Sequence, residues 1–359
     1  MSDTQKLGQC PRVHLLYEYG PEYRPYSSSF IRLIRPLSHP EVSSHVKTTF
    51  SLEYQNEPAD IVIIDRLWRR DISLQLVEEL IEKIRSGGAK LVYSIDDDFF
   101  DLPYRNDTWP NRKVLPVVTF LLHQADVVLT STQALRLRLL ETNPDIRVMP
   151  NYLDERLLVL RMLTNASQTR KNERLVIGTM GTFTHDEDFR MVLPALQSTC
   201  KRYPGQILIQ VIGMLNQEKA KGELKSLPVQ YVYPRPEEHE YPLFMPWFTG
   251  HVRWDIAISP LIHTPFNDCK SDIKFLDYAS IACPGIFSNS PAYSSTVHHQ
   301  ENGWLVENTA EAWEEALESL VNNHKLRLEI GQNASQYLYQ ERILARHTKE
   351  WVDLIKSIC

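Results

Sequence analysis

Short apolar runs alternate with helically spaced stretches along this chain, and that rhythm narrows the fold more than any other feature. Between Asp60 and Asp65 the run Ile61-Val62-Ile63-Ile64 has no polar face, as a strand covered on both sides requires. Residues 72–86 then carry helical spacing and stop at Gly87-Gly88, and Lys90-Leu91-Val92-Tyr93-Ser94-Ile95 reads as the next strand. Strand, helix, strand is the signature of a parallel sheet. Val13-His14-Leu15-Leu16-Tyr17 reads as a buried first strand running into the Gly/Pro-punctuated loop 18–25. Ser27-Ser28-Ser29 offers an N-cap to a helix through Phe30, Leu33 and Ile34. Val127-Val128-Leu129-Thr130 follows a helix, Ser131-Thr132-Gln133 opens another, and 147–154 is a strand leading into a turn.

The pattern then restarts. Residues 165–173 are polar and read as a linker. Beyond them, 175–189 reads as a strand, a glycine turn and a helix start, further strands are expected at 207–213, 230–233, 254–261, 285–288 and 302–306, and helices at 309–322 and roughly 326–358. The last helical region changes character near Tyr339-Gln340, and Ile343, Trp351, Leu354 and Ile355 form an apolar stripe that must be covered. The expected domains are 1–164, joined by about 340–359, and 174–339. A chain of 359 residues suits two domains at about 150 residues each.

Composition excludes several classes. With 43% hydrophobic and 23% charged residues the chain can build real cores. A net charge of −6 argues against nonspecific nucleic-acid binding. The five cysteines are scattered without a CxxC pair, which fits a reducing cytoplasm rather than a disulfide framework or a zinc site. The polar start has no apolar signal segment, and no run is long enough to span a bilayer.

The candidate chemistry sits at loop–helix junctions. Asn267-Asp268-Cys269-Lys270-Ser271-Asp272-Ile273-Lys274 reads as a polar loop entering an amphipathic helix, with Asp277 one turn after Lys274. Lys270, Ser271 and Lys274 near unpaired N–H groups suit a phosphate or diphosphate, and Asp277 could accept hydrogen bonds from a sugar's hydroxyls. An ordinary surface helix with an i, i+3 ion pair explains the same residues. Asp96-Asp97-Asp98 follows a strand, where open parallel sheets bind ligands. The triplet could bind a divalent metal through Asp96 and Asp98, supply a base or electrostatic partner for an acceptor hydroxyl, or cap the next helix and pair with nearby arginine. Arg24, Arg32 and Arg35 could meet an anion or be solvated charges. Gly178 to Phe189 is a strand, a glycine turn and a helix start, where Gly181 would let backbone approach a ligand and Thr182 and Thr184 could cap.

These motifs, in this order, resemble the retaining GT-B glycosyltransferases of bacterial polysaccharide biosynthesis (group 1, family four). Val148-Met149-Pro150-Asn151-Tyr152-Leu153-Asp154 is similar to the signature that ends their first domain. Lys270-Ser271 through Lys274-x-x-Asp277-Tyr278-Ala279 with Pro284-Gly285-Ile286 resembles their donor-binding helix. Asn302-Gly303-Trp304-Leu305-Val306 and the Gly178–Asp186 stretch resemble two further motifs. The resemblance implies an α/β GT-B architecture: two Rossmann-like domains, a cleft between them, and a C-terminal helix returning to the first. It implies transfer of a sugar from a nucleotide-sugar to a glycan or lipid-linked hydroxyl, with retention and neither metal nor cofactor. Lys274, helped by Lys270 and Ser271, would neutralise the leaving diphosphate. Asp277 would hold the ribose, Gly181, Thr182 and His185 would line the facing turn, Phe266 and Asn267 the sugar pocket, and Arg235 would meet the base. Asp96 and Asp97 fall where many relatives carry a His-Asp pair, and with Lys274 they are the catalytic candidates. The chain departs at Asp277, usually Glu, at Cys269, usually an acid, and at His185-Asp186, which replace an Arg…Lys pair. Peripheral membrane contact through the basic loop 96–113 is a further expectation. Rival readings are a nucleotide-sugar 2-epimerase, a phosphorylase or a non-catalytic scaffold subunit.

Overall fold

The computed structural model describes residues 10–102, 110–159, 174–181, 185–213, 224–225 and 227–359. The chain divides into two compact units. The first comprises 1–155, 269–271 and 343–359, and the second 156–268 and 272–342. The expected linker 165–173, Thr182 and Thr184 lie outside the described residues.

In the first unit a six-stranded sheet has the order β2-β1-β3-β4-β5-β6, with every neighbouring pair parallel. The strands are β1 Arg12–Leu16, β2 Lys47–Ser51, β3 Ile61–Asp65, β4 Lys90–Ser94, β5 Val127–Thr130 and β6 Ile146–Val148. Alternate side chains supply two cores. Leu16, Val62, Ile64, Leu91 and Tyr93 meet Val77, Ile81 and Ile84 of the helix Leu74–Ser86 and Leu121 of the helix Leu115–Gln124. Val13, Leu15, Ile61, Ile63 and Val92 meet Leu33, Leu37 and the C-terminal helix Thr348–Ile358. The apolar stripe is therefore covered, with Trp351 and Ile355 almost wholly buried. Main chain joins this region as well, because Leu344 N donates to Leu153 O at 2.8 Å. Tyr152 stacks on His347 with centroids 3.8 Å apart.

Local signals set the helix starts. Ser73 Oγ accepts from Leu76 N, and Thr132 Oγ1 from Leu135 N. Gly88 takes φ +76°, where a side chain would be strained, and so lets the chain leave the helix for β4. Three expectations change. The first helix is Leu74–Ser86 rather than 72–86. The stretch 27–37 contains a π-helical segment, Phe30–Ile34. The final 326–358 helix is instead His324–Tyr337, a π segment Leu338–Arg342, a 3-10 turn Leu344–Arg346 and Thr348–Ile358.

The second unit holds another parallel six-stranded sheet in the order β12-β11-β10-β7-β8-β9. Its strands are β7 Leu175–Met180, β8 Ile207–Ile212, β9 Val229–Val232, β10 Ile256–Ser259, β11 Gly285–Ser288 and β12 Trp304–Val306. One face packs aliphatic residues such as Ile177, Ile209, Ile256 and Ile286 against Phe189, Leu196, Trp313 and Leu317. The other is aromatic: Trp254 meets Phe248 and Tyr278 edge-on, and Phe287 packs against Tyr278 and Tyr293. Gly178 makes this possible, since a Cβ there would lie 1.8 Å from the Trp254 ring.

Candidate functional site

Ligands of open parallel sheets bind beyond the carboxyl ends of the strands, where the winding reverses. In the second unit that point lies between β7 and β10. Gly181 leaves β7, its N–H bonded to Ile212 O at 3.1 Å. A Cβ on Gly213 would lie 2.7 Å from Gly181 O, so these turns approach backbone to backbone. His185 precedes the helix Asp186–Arg202 and contacts Asp188 Oδ2 through Nδ1 at 2.9 Å. Asp188 Oδ1 accepts from Ile262 N at 2.8 Å, in the segment that leaves β10, and from Asn267 Nδ2 at 3.5 Å. Asn267 also donates to Ile262 O at 2.8 Å. His185 and Asn267, separate in the sequence, thus meet on the buried carboxylate of Asp188. Asp188 was not among the expected site residues, although its i+3 spacing from His185 was visible.

Phe266 and Asn267 belong to a short helix, Pro265–Asp268, where a polar loop was expected. The following helix is Ile273–Ser280, so Lys274 lies in its first turn. Asp272, at its N-cap, makes no capping bond. Its carboxylate instead accepts from Arg342 (2.6 and 3.0 Å) and from Thr296 Oγ1 (2.7 Å). Asp277 is buried on this helix. Burial pushes its carboxyl up to about 6, and the charge of Lys274 opposes that rise. The expected Lys274–Asp277 coupling is therefore present. Arg235 stands apart with its side chain 78% exposed, bonded to Glu238 at 2.7 Å.

Lys270 and Ser271 lie just ahead of the start of that helix. They precede its N-cap and fold with the first unit. There Asn151 Nδ2 donates to Ser271 Oγ at 2.9 Å, and Thr132 Oγ1 donates to Cys269 O at 2.8 Å. The charge of Lys270 acts on Asp97. The physical reason is the buried Cys269, which joins the first unit's core and draws its neighbours with it.

The first unit's winding reverses between β1 and β3. Asp96 and Asp97 follow β4 and are gripped by one guanidinium. Arg66 Nη1 donates to Asp96 Oδ1 at 2.6 Å and to Asp97 Oδ2 at 2.7 Å. Arg66 Nε lies 2.7 Å from Glu18 Oε2. Buried Asp65 accepts from Ser29 Oγ at 2.6 Å. Asp98 is engaged elsewhere: Oδ1 accepts from Phe100 N and Oδ2 from Arg138 Nε, both at 3.0 Å. Capping with arginine pairing is the arrangement of the triplet that the side chains adopt. Glu18 and Asp65 approach the triplet from the ends of β1 and β3. Arg66 occupies the space among them. Among the described residues, no group of three or more His, Cys, Asp or Glu is arranged to hold a metal ion. Burial raises Asp97, but attraction to Arg66 and Lys270 outweighs it and leaves the carboxyl lowered. Sequence reasoning missed Arg66 and Glu18, yet both follow strands at the end where ligands bind.

Residues 273–337 match the family model for glycosyl transferases group 1. A search of curated protein sequences found no match. Several solved structures share the fold. HepE from Anabaena, solved with UDP and glucose, aligns over 97% of this chain and 100% of its own at 13% identity, TM-score 0.66. Sucrose-phosphate synthase from Thermosynechococcus elongatus aligns over 98% and 99% at 12% identity, TM-score 0.67. TarM aligns over 84% of this chain at 14% identity, TM-score 0.59, and the chain spans 55% of TarM's length. Among the described residues no helix is long and apolar enough to cross a membrane. The chain thus has the α/β GT-B fold that the sequence resemblance implied, and its 273–337 segment matches the model for glycosyl transferases group 1.

Proposed function

We propose that the protein is a cytoplasmic glycosyltransferase that moves a sugar from a nucleotide-sugar to a hydroxyl of a glycan or lipid-linked acceptor, with retention. The observation that carries this is the buried Asp277 coupled to Lys274 inside the segment that matches the group 1 family. HepE, with the same fold, was solved with UDP-glucose, which supports a nucleotide-sugar as donor. Lys274 would draw the diphosphate and stabilise it most as charge develops on the leaving group, so that it raises rate and not only affinity. Asp277, ionised at neutral pH, would accept hydrogen bonds from paired ribose hydroxyls. Gly181 and the His185–Asp188–Asn267 network would shape the facing turn, and Asp96 or Asp97 would serve the acceptor hydroxyl. Lys274 and the helix N–H groups would do the work of a cation, so we assign no cofactor and no metal. Peripheral membrane contact is assigned to the first unit's loops 18–35 and 96–113, through their aromatic and arginine side chains.

Thermal unfolding against a panel of UDP-, GDP-, ADP- and dTDP-sugars tests this. A ligand at about 100 times its Kd adds about 2.7 kcal/mol. A shift with one nucleotide class in the wild type, lost in Lys274→Ala and Asp277→Ala, is the expected result. One observation favours a second reading, a non-catalytic subunit: buried Cys269 stands where the resemblance puts an acid. Nucleotide binding without turnover across an acceptor panel would favour that reading.

A further inference from the structure

Arg66 is the most constrained residue at the first unit's winding reversal. Its backbone takes φ +49°, a conformation uncommon for a residue with a side chain. Trp68, two residues on, does the same at +52°. Such strain persists where surrounding structure over-determines it. Here the turn delivers one guanidinium to three carboxylates at 2.6–2.7 Å, Asp96, Asp97 and Glu18. The Phe99 ring lies beneath it, 5.3 Å from Arg66 Cζ. The side chains are 16% exposed for Arg66, 8% for Glu18, 16% for Asp96 and 22% for Asp97, so solvent screens them little. The fully buried Asp65 is a fourth carboxyl beside them, and its Oδ1 has no hydrogen-bond partner. Carboxylates outnumber the cation that touches them, so a proton on one of them relieves the excess.

We propose that Arg66 is a positioning residue for Asp96 and Asp97, and that a proton on Glu18 sets how firmly it holds them. With Glu18 protonated, the guanidinium is left to Asp96 and Asp97. When that proton leaves to solvent, Glu18 takes a share of the guanidinium, and its hold on Asp96 and Asp97 loosens. The groups facing Glu18 fit this assignment. Burial raises Glu18 to about 7; Arg66 opposes that rise, and Asp65, Asp96 and Asp97 add to it. Burial likewise raises Asp65, against its bond from Ser29 and the charges of Arg32 and Arg66. Asp97 also feels Arg32 and Lys270, so it keeps its charge throughout. The catalytic consequence rests on the sugar-transfer reading; the sharing of charge does not.

The test has two arms. In the first, melting temperatures of wild type and Glu18→Gln are followed from about pH 5.5 to about pH 8.5. The gap between the two proteins should be smallest at the acid end, closing fully only toward about pH 4, where the unfolded carboxyl is protonated as well. The variant should melt several degrees higher at the alkaline end, because it is spared an ionised buried carboxylate. That gap should shrink in an Asp96→Asn/Asp97→Asn background, where Arg66 is left to Glu18. A variant that melts lower than wild type at alkaline pH, as loss of a plain ion pair would cause, overturns the proposal. So does a gap that does not change with pH. In the second arm, turnover of the nucleotide-sugar found by the panel is measured across the same range. Wild-type kcat should rise severalfold with pH while Glu18→Gln stays on the low plateau, with donor KM alike in both. Parallel profiles overturn the positioning role. Absence of turnover in the wild type with every donor and acceptor overturns the sugar-transfer reading and the catalytic half with it, and the melting arm still decides the charge sharing.

Discussion

The two sheets have the same number of strands and the same parallel pairing, yet they wind differently and treat charge differently. The second unit's order, 12-11-10-7-8-9, puts the first strand of that unit beside its fourth, the arrangement of dinucleotide-binding sheets. The first unit's order, 2-1-3-4-5-6, reverses one strand earlier, beside its third. At the second unit's reversal, one buried carboxylate, Asp188, receives an N–H, a histidine and an amide, so most of its demand is met by neutral dipoles. At the first unit's reversal, Glu18, Asp96 and Asp97 converge on a single arginine. The second unit gives one carboxylate several donors, whereas the first gives several carboxylates one donor.

The sharpest way to break this comparison is Arg66→Ala. It strands carboxylates in a poorly solvated place, and a loss of about 3–5 kcal/mol is expected, read by denaturant unfolding at neutral pH. A loss below about 1 kcal/mol would mean that water already does the arginine's work. Next is Lys274→Ala. Loss of one charge-assisted contact to a diphosphate, about 1.5–3 kcal/mol, corresponds to a drop of at least about tenfold in turnover with melting temperature preserved. Near-normal kinetics in a folded variant would remove that helix from the chemistry.

Asp277 gives a smaller, pH-linked effect. Its carboxyl is raised in the folded protein to about 6, above its unfolded value, so the folded state binds more protons between about pH 4 and pH 6. That stability is fully present below about pH 4 and is lost as pH rises through about 6. Asp277→Asn should therefore be more stable than wild type at pH 7, by up to about 3 kcal/mol, with the gap closing toward about pH 4. A gap of constant size would assign the effect to packing. The smallest expected change is His185→Ala. It should cost about 1 kcal/mol or less if the histidine only completes the Asp188 network. A much larger loss of nucleotide-dependent stabilisation, with the unliganded melting point unmoved, would make it a ligand contact.

What could be read in advance follows from where the information lies. β3 announces itself because a buried parallel strand needs an uninterrupted apolar run. β2 was missed because Lys47-Thr48-Thr49-Phe50-Ser51 is an exposed edge strand. Its neighbour β1 holds it by register and by His14, which bonds to Thr49 and Ser51 at 2.8 Å each, and no local periodicity records such a partnership. The Lys274–Asp277 pair was legible because helix geometry places i and i+3 on one face. Arg66 was not, because its partners lie on separate strands and its turn conformation has no glycine to mark it. Lys270 and Ser271 were legible as neighbours of the helix that follows, but their grouping with the first unit was not, because it comes from the burial of Cys269.

The C-terminal helix has one more consequence. Neither unit is a contiguous piece of chain: the first needs residues 343–359, and the second is complete at residue 342. On a ribosome, which releases the chain from its amino end, the unit that is begun first is finished last. Until Trp351, Ile355 and Ile358 emerge, the face that holds Leu15, Ile63 and Leu33 is covered only in part, by residues such as Leu37 and Val42, and the rest is presented to the crowded surroundings. Order of translation and order of completion are thus inverted, and a stalled or shortened chain would be captured by chaperones through its oldest part.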